Sequence, residues 1–287
     1  MSISEEQLEI WSHQGAIAKS KDTADSVKNA LNNYEHFPTS DYKVYLQGSY
    51  KNDTNIRGES DVDVVIQLNK TFFNNLNHEQ KKVLNLYPAE YHHDEYRKDV
   101  IHALQEYFGE QNVSVESKCI KIKANDSRLT ADVIVACQHR EYYALEENSY
   151  IEGVHFFTND SPNRQIINYP DLVYDNGCQK SKDTNGMFKP VVRIFKNLRR
   201  QANAKGPSYY IQCLIYNIPN SLFENTYFKC VYNILEHIRL LPDESLKQFL
   251  CQHEQFNLFG ESEEQWDIQS ARNFNADIIT FWNNYNN

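Results

Sequence analysis

Gly48-Ser49 stands eleven intervening residues ahead of Asp61-Val62-Asp63. Glycine lets a phosphate approach the main chain, and the serine hydroxyl and adjacent amides can donate to it. Two carboxylates one residue apart on a strand project side by side, which suits a pair of hard divalent cations. Cations held there can activate an attacking hydroxyl and neutralise a departing pyrophosphate. Such a site wants a third carboxylate from a neighbouring strand. Asp132, a lone acid in Leu129-Thr130-Ala131-Asp132-Val133-Ile134-Val135, is costly there unless it is paired or coordinates metal. Its expected tasks are to complete the metal shell and to draw the proton from the attacking hydroxyl. An Asp-x-Asp pair alone is a weak signal; the Gly-Ser turn and the third acid together make it a strong one.

These residues need strands to carry them. Tyr42 to Gln47 alternates well enough for a short strand ending at the glycine. From Asp61 to Leu68, Val62, Val64, Ile66 and Leu68 form one apolar face, with Asp61, Asp63 and Gln67 on the other. Ser117 to Ala124 and Leu129 to Cys137 predict a hairpin around Asn125-Asp126-Ser127-Arg128. Ahead of them, Ser4-Glu5-Glu6-Gln7 reads as a capping box opening one or two helices that reach about residue 33, with Pro38 closing the region. A helix is expected over roughly 90–109, and the aromatic, turn-rich stretch 139–180 reads as a long connection. Beyond it, residues 189–202, 209–217, 226–241 and 275–285 carry helical patterns. The expected fold class is α+β: a small mixed-sheet lobe over 1–180, with the N-terminal helix bridging, and a helical lobe over 181–287.

With Asp132, the Gly48-Ser49 and Asp61-Val62-Asp63 pattern resembles the DNA-polymerase-β-type nucleotidyltransferase superfamily. Gln47-Gly48-Ser49-Tyr50-Lys51-Asn52-Asp53-Thr54, running into Gly58-Glu59-Ser60-Asp61-Val62-Asp63, is similar to the bacterial cGAS/DncV-like nucleotidyltransferases of anti-phage signalling. Glu6-Gln7-Leu8 with Trp11-Ser12, and Ile167-Asn168-Tyr169-Pro170, resemble their E clade. The resemblance implies a bilobal fold, Mg²⁺ as the usual metal with Mn²⁺ able to substitute, and Gln47, Gly48 and Ser49 at the nucleotide. It implies a cyclic oligonucleotide made from NTPs with release of pyrophosphate, and a downstream effector protein activated by that product.

The helical half adds candidates. Arg193, Lys196 and Arg200 share one face of a helix, and Val192, Phe195 and Leu198 cover another. A basic helix face is more often solvated than functional, but the resemblance makes Lys196 a triphosphate lysine. Gly206-Pro207-Ser208-Tyr209-Tyr210 opens the next helix and places a hydroxyl and free amides at its start. A simple helix cap accounts for the Gly-Pro-Ser by itself; the resemblance implies that Ser208 meets the triphosphate and Tyr209 stacks on the base, with Tyr210 the alternative. Asn168 is a candidate base reader, since an amide can match the O4 and N3–H edge of uracil. A cyclic dinucleotide containing UMP, from UTP and ATP, is therefore the leading expectation. His155, Phe156 and Phe157 either line an acceptor pocket or are ordinary core, and His92-His93-Asp94-Glu95 reads as a polar helix edge.

Composition narrows the classes. A net charge of −10 lacks the basic footprint of a duplex-binding protein, so no obligatory DNA activator is expected. The six cysteines show no CxxC pair and read as buried thiols, no apolar run approaches the length of a membrane span, and a cytoplasmic location follows as the expectation. The remaining alternatives are an RNA-tailing or protein- or drug-modifying transferase, and a nucleotide-binding regulator that does no chemistry.

Overall fold

The computed structural model describes residues 3–15, 17–37, 41–58 and 61–286; Pro38, Glu59 and Ser60, which the sequence patterns above invoke, lie outside the described residues. In chain order the elements are α1 (Glu5–Ser12), α2 (Ala18–Asn32), β1 (Tyr42–Leu46), the short α3 (Gly48–Lys51), β2 (Val62–Asn74), α4 (His78–Val83) and α5 (His93–Phe108). β3 (Val113–Val115), β4 (Ile120–Ile122), β5 (Ala131–Tyr142), β6 (Tyr150–Phe157) and β7 (Gln165–Asn168) complete the strands. Then come α6 (Pro170–Asp183), α7 (Phe188–Gln201), α8 (Ser208–Tyr216), α9 (Tyr227–Leu240), α10 (Asp243–Leu246) and α11 (Ile268–Asn286).

The sheet is mixed. β2 runs parallel to β5, while β1 lies antiparallel on the outer side of β2. Along its other side β5 pairs first with β4 and then, past residue 136, with β6, both antiparallel. β3 and β7 extend the two arms. Alternation sorts the two faces. Val62, Val64, Ile66 and Leu68 are buried against Val27 and Leu31 of α2 and Val100 and Leu104 of α5. Each such side chain contributes about 1.5–3 kcal/mol by leaving water, so this face fixes the register. The opposite face holds a smaller apolar cluster of Val65, Ala136, Val154, Phe156 and Ile166. Gln67, expected on an open polar face, is buried there instead: its amide oxygen accepts from Tyr45 Oη at 2.7 Å and its Nε2 donates to Glu152 Oε1 at 3.0 Å. That pairing removes the cost of burying an amide.

The stretch expected as a long connection is structured. β5 continues to Tyr142, β6 and β7 pair beside it, and α6 begins at Pro170. These strands exist because β5 offers an unpaired edge beyond β4, a reason no local pattern displays.

Contacts divide the chain into two compact units, which differs from a single boundary at 180/181. One comprises Met1–Gly15, Lys51–Glu59 and Asp171–Asn287 over their described residues; the other comprises Ala16–Tyr50 and Ser60–Pro170. Of the first two helices, α1 belongs to the helical unit and α2 to the sheet unit. Leu8 of α1 is buried with Val191 and Phe195 of α7, Ile234 of α9 and Phe274 of α11. At the break, Gly15 donates its N–H to Asn55 O at 3.2 Å, and a Cβ there would come within 2.8 Å of Ile56 O. Among the described residues no helix is long and apolar enough to cross a membrane, and all six cysteines are free thiols.

Candidate active site

The acids gather on the sheet face opposite α2 and α5. Asp63 and Asp132 are register partners on the parallel strands β2 and β5, and Asp132 is in turn opposite Lys121 on β4. Register partners share a face, so Asp63, Asp132 and Lys121 form one row across three strands. Asp61 precedes β2 by one residue. Lys121 Nζ lies 3.5 Å from Asp61 Oδ2 and 3.5 Å from Asp132 Oδ1. The Asp132 side chain is 25% exposed and that of Asp61 45%. Oδ1 of Asp132 is buried and accepts no hydrogen bond; the lysine contact is an ion pair at a distance beyond a good hydrogen bond. The charge of Asp132 first, and then that of Asp61, holds the Lys121 ammonium above its ordinary value. Burial first, and then the charge of Asp132, pushes the Cys119 thiol up to about 12, so this neighbour stays protonated and is no nucleophile.

Gly48 abuts this row. Its φ of +65° is a left-handed conformation, and a Cβ there would come within 2.0 Å of Asp63 Oδ2. Only glycine combines that backbone with that approach. The preceding Gln47 donates its N–H to Asp63 O at 2.9 Å, pinning the turn to β2. The amide oxygen of Gln47 is buried and accepts no hydrogen bond, and Ser49 is half-buried in α3. Gln47, Gly48, Ser49, Asp61, Asp63 and Asp132 thus come together in the sheet unit.

Among the described residues no three His, Cys, Asp or Glu side chains converge as a ready-made metal cage. The donor set nonetheless fits hard divalent cations: three carboxylates from adjacent strand positions, with a positive charge already drawn between two of them.

Asn168 closes β7, where its register partner is Val154 and its neighbour Ile166 is buried in the smaller cluster. By that register Asn168 lies on the face that carries the acid row, half-buried. His155 and Phe157 lie on the other face: the His155 ring stacks on Phe73 at 4.0 Å, and Phe157 packs edge-on to Phe73. Phe156 is buried in the smaller cluster. His155 is buried and Phe157 half-buried beside it, so these two rings lie away from the face of the acid row. His93 is buried within α5, and Glu95 reaches back to the His92 N–H at 3.3 Å, a helix start rather than a metal site.

In the helical unit the basic face of α7 has a use that the sequence did not reveal. Arg193 donates to the carbonyls of Ser12 and Asp53, Lys189 pairs with Asp53 Oδ2 at 2.8 Å, and Arg200 donates to Arg57 O at 2.7 Å. Thr54 Oγ1 donates to Gln212 at 2.8 Å. The stretch Asn52 to Arg57 is therefore a strap fastened to α7 and α8. Asn52-Asp53-Thr54-Asn55 was its only signal, a polar run without periodicity. Lys196, on the same helix, is 1% exposed. Ser208 opens α8 and accepts from Arg199 Nη1 at 3.1 Å. The Tyr210 ring is stacked on Trp266 at 5.8 Å, which leaves Tyr209 as the better candidate of the adjacent pair. Burial above all pushes the Tyr209 phenol well above its ordinary value, so its hydroxyl stays neutral.

Two family descriptions match. Residues 27–129 match a nucleotidyltransferase domain, and residues 175–283 match the cGAS/DncV-like nucleotidyltransferase C-terminal helical domain. The cyclic UMP-AMP synthase of Rhodothermus marinus is 42% identical over 98% of this chain and 98% of its own. A cyclic nucleotide synthase of Staphylococcus haemolyticus is 38% identical over 99% of this chain and 100% of its own. The solved Rhodothermus marinus c-UMP-AMP synthase with Apcpp and Upnpp superposes with a TM-score of 0.92 at 40% identity, covering 99% of this chain and 98% of that one.

Proposed function

The chain belongs to the cGAS/DncV-like nucleotidyltransferases, and from that premise we propose that it joins NTPs, UTP and ATP foremost, into a pyrimidine-containing cyclic dinucleotide. The observation that carries the reading is the register pair Asp63–Asp132 with Gly48 packed against Asp63. Asp61, Asp63 and Asp132 would hold Mg²⁺, which would supply charge neutralisation for the pyrophosphate and acidify the attacking ribose hydroxyl. Asp132 accepts the proton of that hydroxyl. The Gly48 main chain and the Ser49 hydroxyl donate to the phosphates, and Gln47 supports the turn. Lys196 and Ser208 hold the triphosphate, Tyr209 stacks on a base, and Asn168 reads the edge of a uracil. A first transfer leaves a linear intermediate, and a second closes the ring, each releasing pyrophosphate.

The product acts on a separate effector protein, and with a net charge of −10 the enzyme has no need of duplex DNA. The test is incubation of the pure protein with all four labelled NTPs and Mg²⁺ or Mn²⁺, with phosphatase-resistant products read by mass. A cyclic dinucleotide containing uridine is expected. Homopolymer tails on added RNA, with no cyclic product, would instead favour a tailing enzyme.

A further inference from the structure

Lys121 has no part in the chemistry described above, yet the fold aims it at the acid row. β4 is three residues long, and its first and third, Ile120 and Ile122, are buried in the core. The middle residue is thereby turned to the opposite face, directly beside Asp132. From there the side chain spans to Asp61, so that one ammonium lies 3.5 Å from each of two carboxylates. Neighbouring strands are about 4.8 Å apart, so unscreened acids at Asp63 and Asp132, with Asp61 next to them, would repel one another.

We propose that Lys121 is an internal placeholder cation: it holds Asp61 and Asp132 in place while no divalent ion is bound, and it is displaced when one binds. A magnesium-sized ion sits about 2.1 Å from each ligand oxygen. An ammonium within contact distance of the same two carboxylates cannot remain beside it, because the two positive charges would share the same lone pairs. Metal binding is therefore an exchange of cations, and the affinity measured is the difference between them. The lysine keeps the empty acid row folded, weakens adventitious metal capture, and returns to the row when the ion leaves. Its side chain is 36% exposed, so the exchange is one of modest energy and runs freely in both directions.

This inference rests on the metal-site reading, and the experiment separates the two. Mn²⁺ is titrated calorimetrically, without nucleotide, into the wild type, Lys121→Gln, Lys121→Arg and the Asp61→Asn, Asp63→Asn double variant. Lys121→Gln is expected to bind Mn²⁺ about fivefold more tightly, the scale of a half-exposed ion pair. In chelator it is expected to melt below the wild type. Lys121→Arg, which keeps the charge, is expected to bind within about twofold of the wild type. The double Asn variant is expected not to bind. If Lys121→Gln binds as the wild type does, or more weakly, the placeholder is overturned while the metal site stands. If neither the wild type nor Lys121→Gln binds Mn²⁺, both readings fall.

Discussion

The carboxylate of Asp63 occupies the space where any side chain on Gly48 would have to be, within 2.0 Å of a Cβ built there. Gly48→Ala is therefore expected to force Asp63 aside while also placing alanine at a φ of +65°. A stability loss of about 1–3 kcal/mol follows from the backbone strain alone. Turnover is expected to fall at least about a hundredfold, since a displacement near 1 Å at the reacting centre costs that much. Urea unfolding with an NTP turnover assay checks both; an active alanine variant would remove the steric argument.

Replacing Asp61 and Asp63 with Asn keeps shape and removes charge. Product formation should vanish. The melting temperature should hold or rise, because repulsion within the row is relieved. Full activity in the double variant would sink the site assignment.

The strap is testable apart from chemistry. Arg193→Ala removes the guanidinium that donates to the carbonyls of Ser12 and Asp53. A loss of about 2–3 kcal/mol is expected, the range for hydrogen bonds to a charged group. With its anchor cut, the strap of Asn52 to Arg57, which follows Ser49 in the chain, is expected to loosen, so KM for NTP should rise more than kcat falls. Unchanged KM alongside lost stability would make the strap purely architectural.

His155 sets an acid limit. Burial first, then the nearby His139 and His93, lowers it to about 4 from an ordinary value of 6.5. Between those values the unfolded chain binds a proton that the folded one refuses, so stability is full above pH 6.5 and falls as pH drops towards 4. The size is on the order of 3 kcal/mol for this buried ring. His155→Phe, which preserves the stack on Phe73, should flatten the melting profile between pH 6.5 and 4. An unaltered profile would mean that other groups govern acid unfolding.

Asn168→Ser should shift incorporation from UTP towards purines by at least about tenfold, because a shortened side chain no longer matches the uracil edge. Metal binding should be unaffected. Competition among four NTPs, with products read by mass, decides it. A wild type that makes only purine products would refute the pyrimidine reading and leave the family assignment intact.

Much of the acid row was legible because its grammar is local: Asp61 and Asp63 are two apart, and Asp132 stands alone in an apolar run. The helices α2, α5, α7, α8 and α9 were legible from periodicity. What escaped was whatever depends on a partner far along the chain. Lys121 looks like any alternating strand residue until β4 is laid against β5. Arg193 looks like solvent-facing charge until the strap arrives beneath it. β6 and β7 owe their existence to the free edge of β5, and β2 runs six residues past its regular alternation, through a register shift between Leu68 and Phe72.

The division of the chain into interleaved units bears on the order in which it folds during synthesis. α1 leaves the ribosome well before the helices that bury Leu8, since that core is built from α7, α9 and α11. At roughly 5–20 residues per second, Leu8 waits on the order of 10–40 seconds before Val191 and Phe195 exist. The sheet, by contrast, is complete once β7 emerges and can form at once. During that interval the nascent chain carries a sheet able to form and, ahead of it, α1 without its shelter. That segment is the natural target for a chaperone, and substitutions in α1 should reveal themselves in yield of folded protein before they reveal themselves in catalysis.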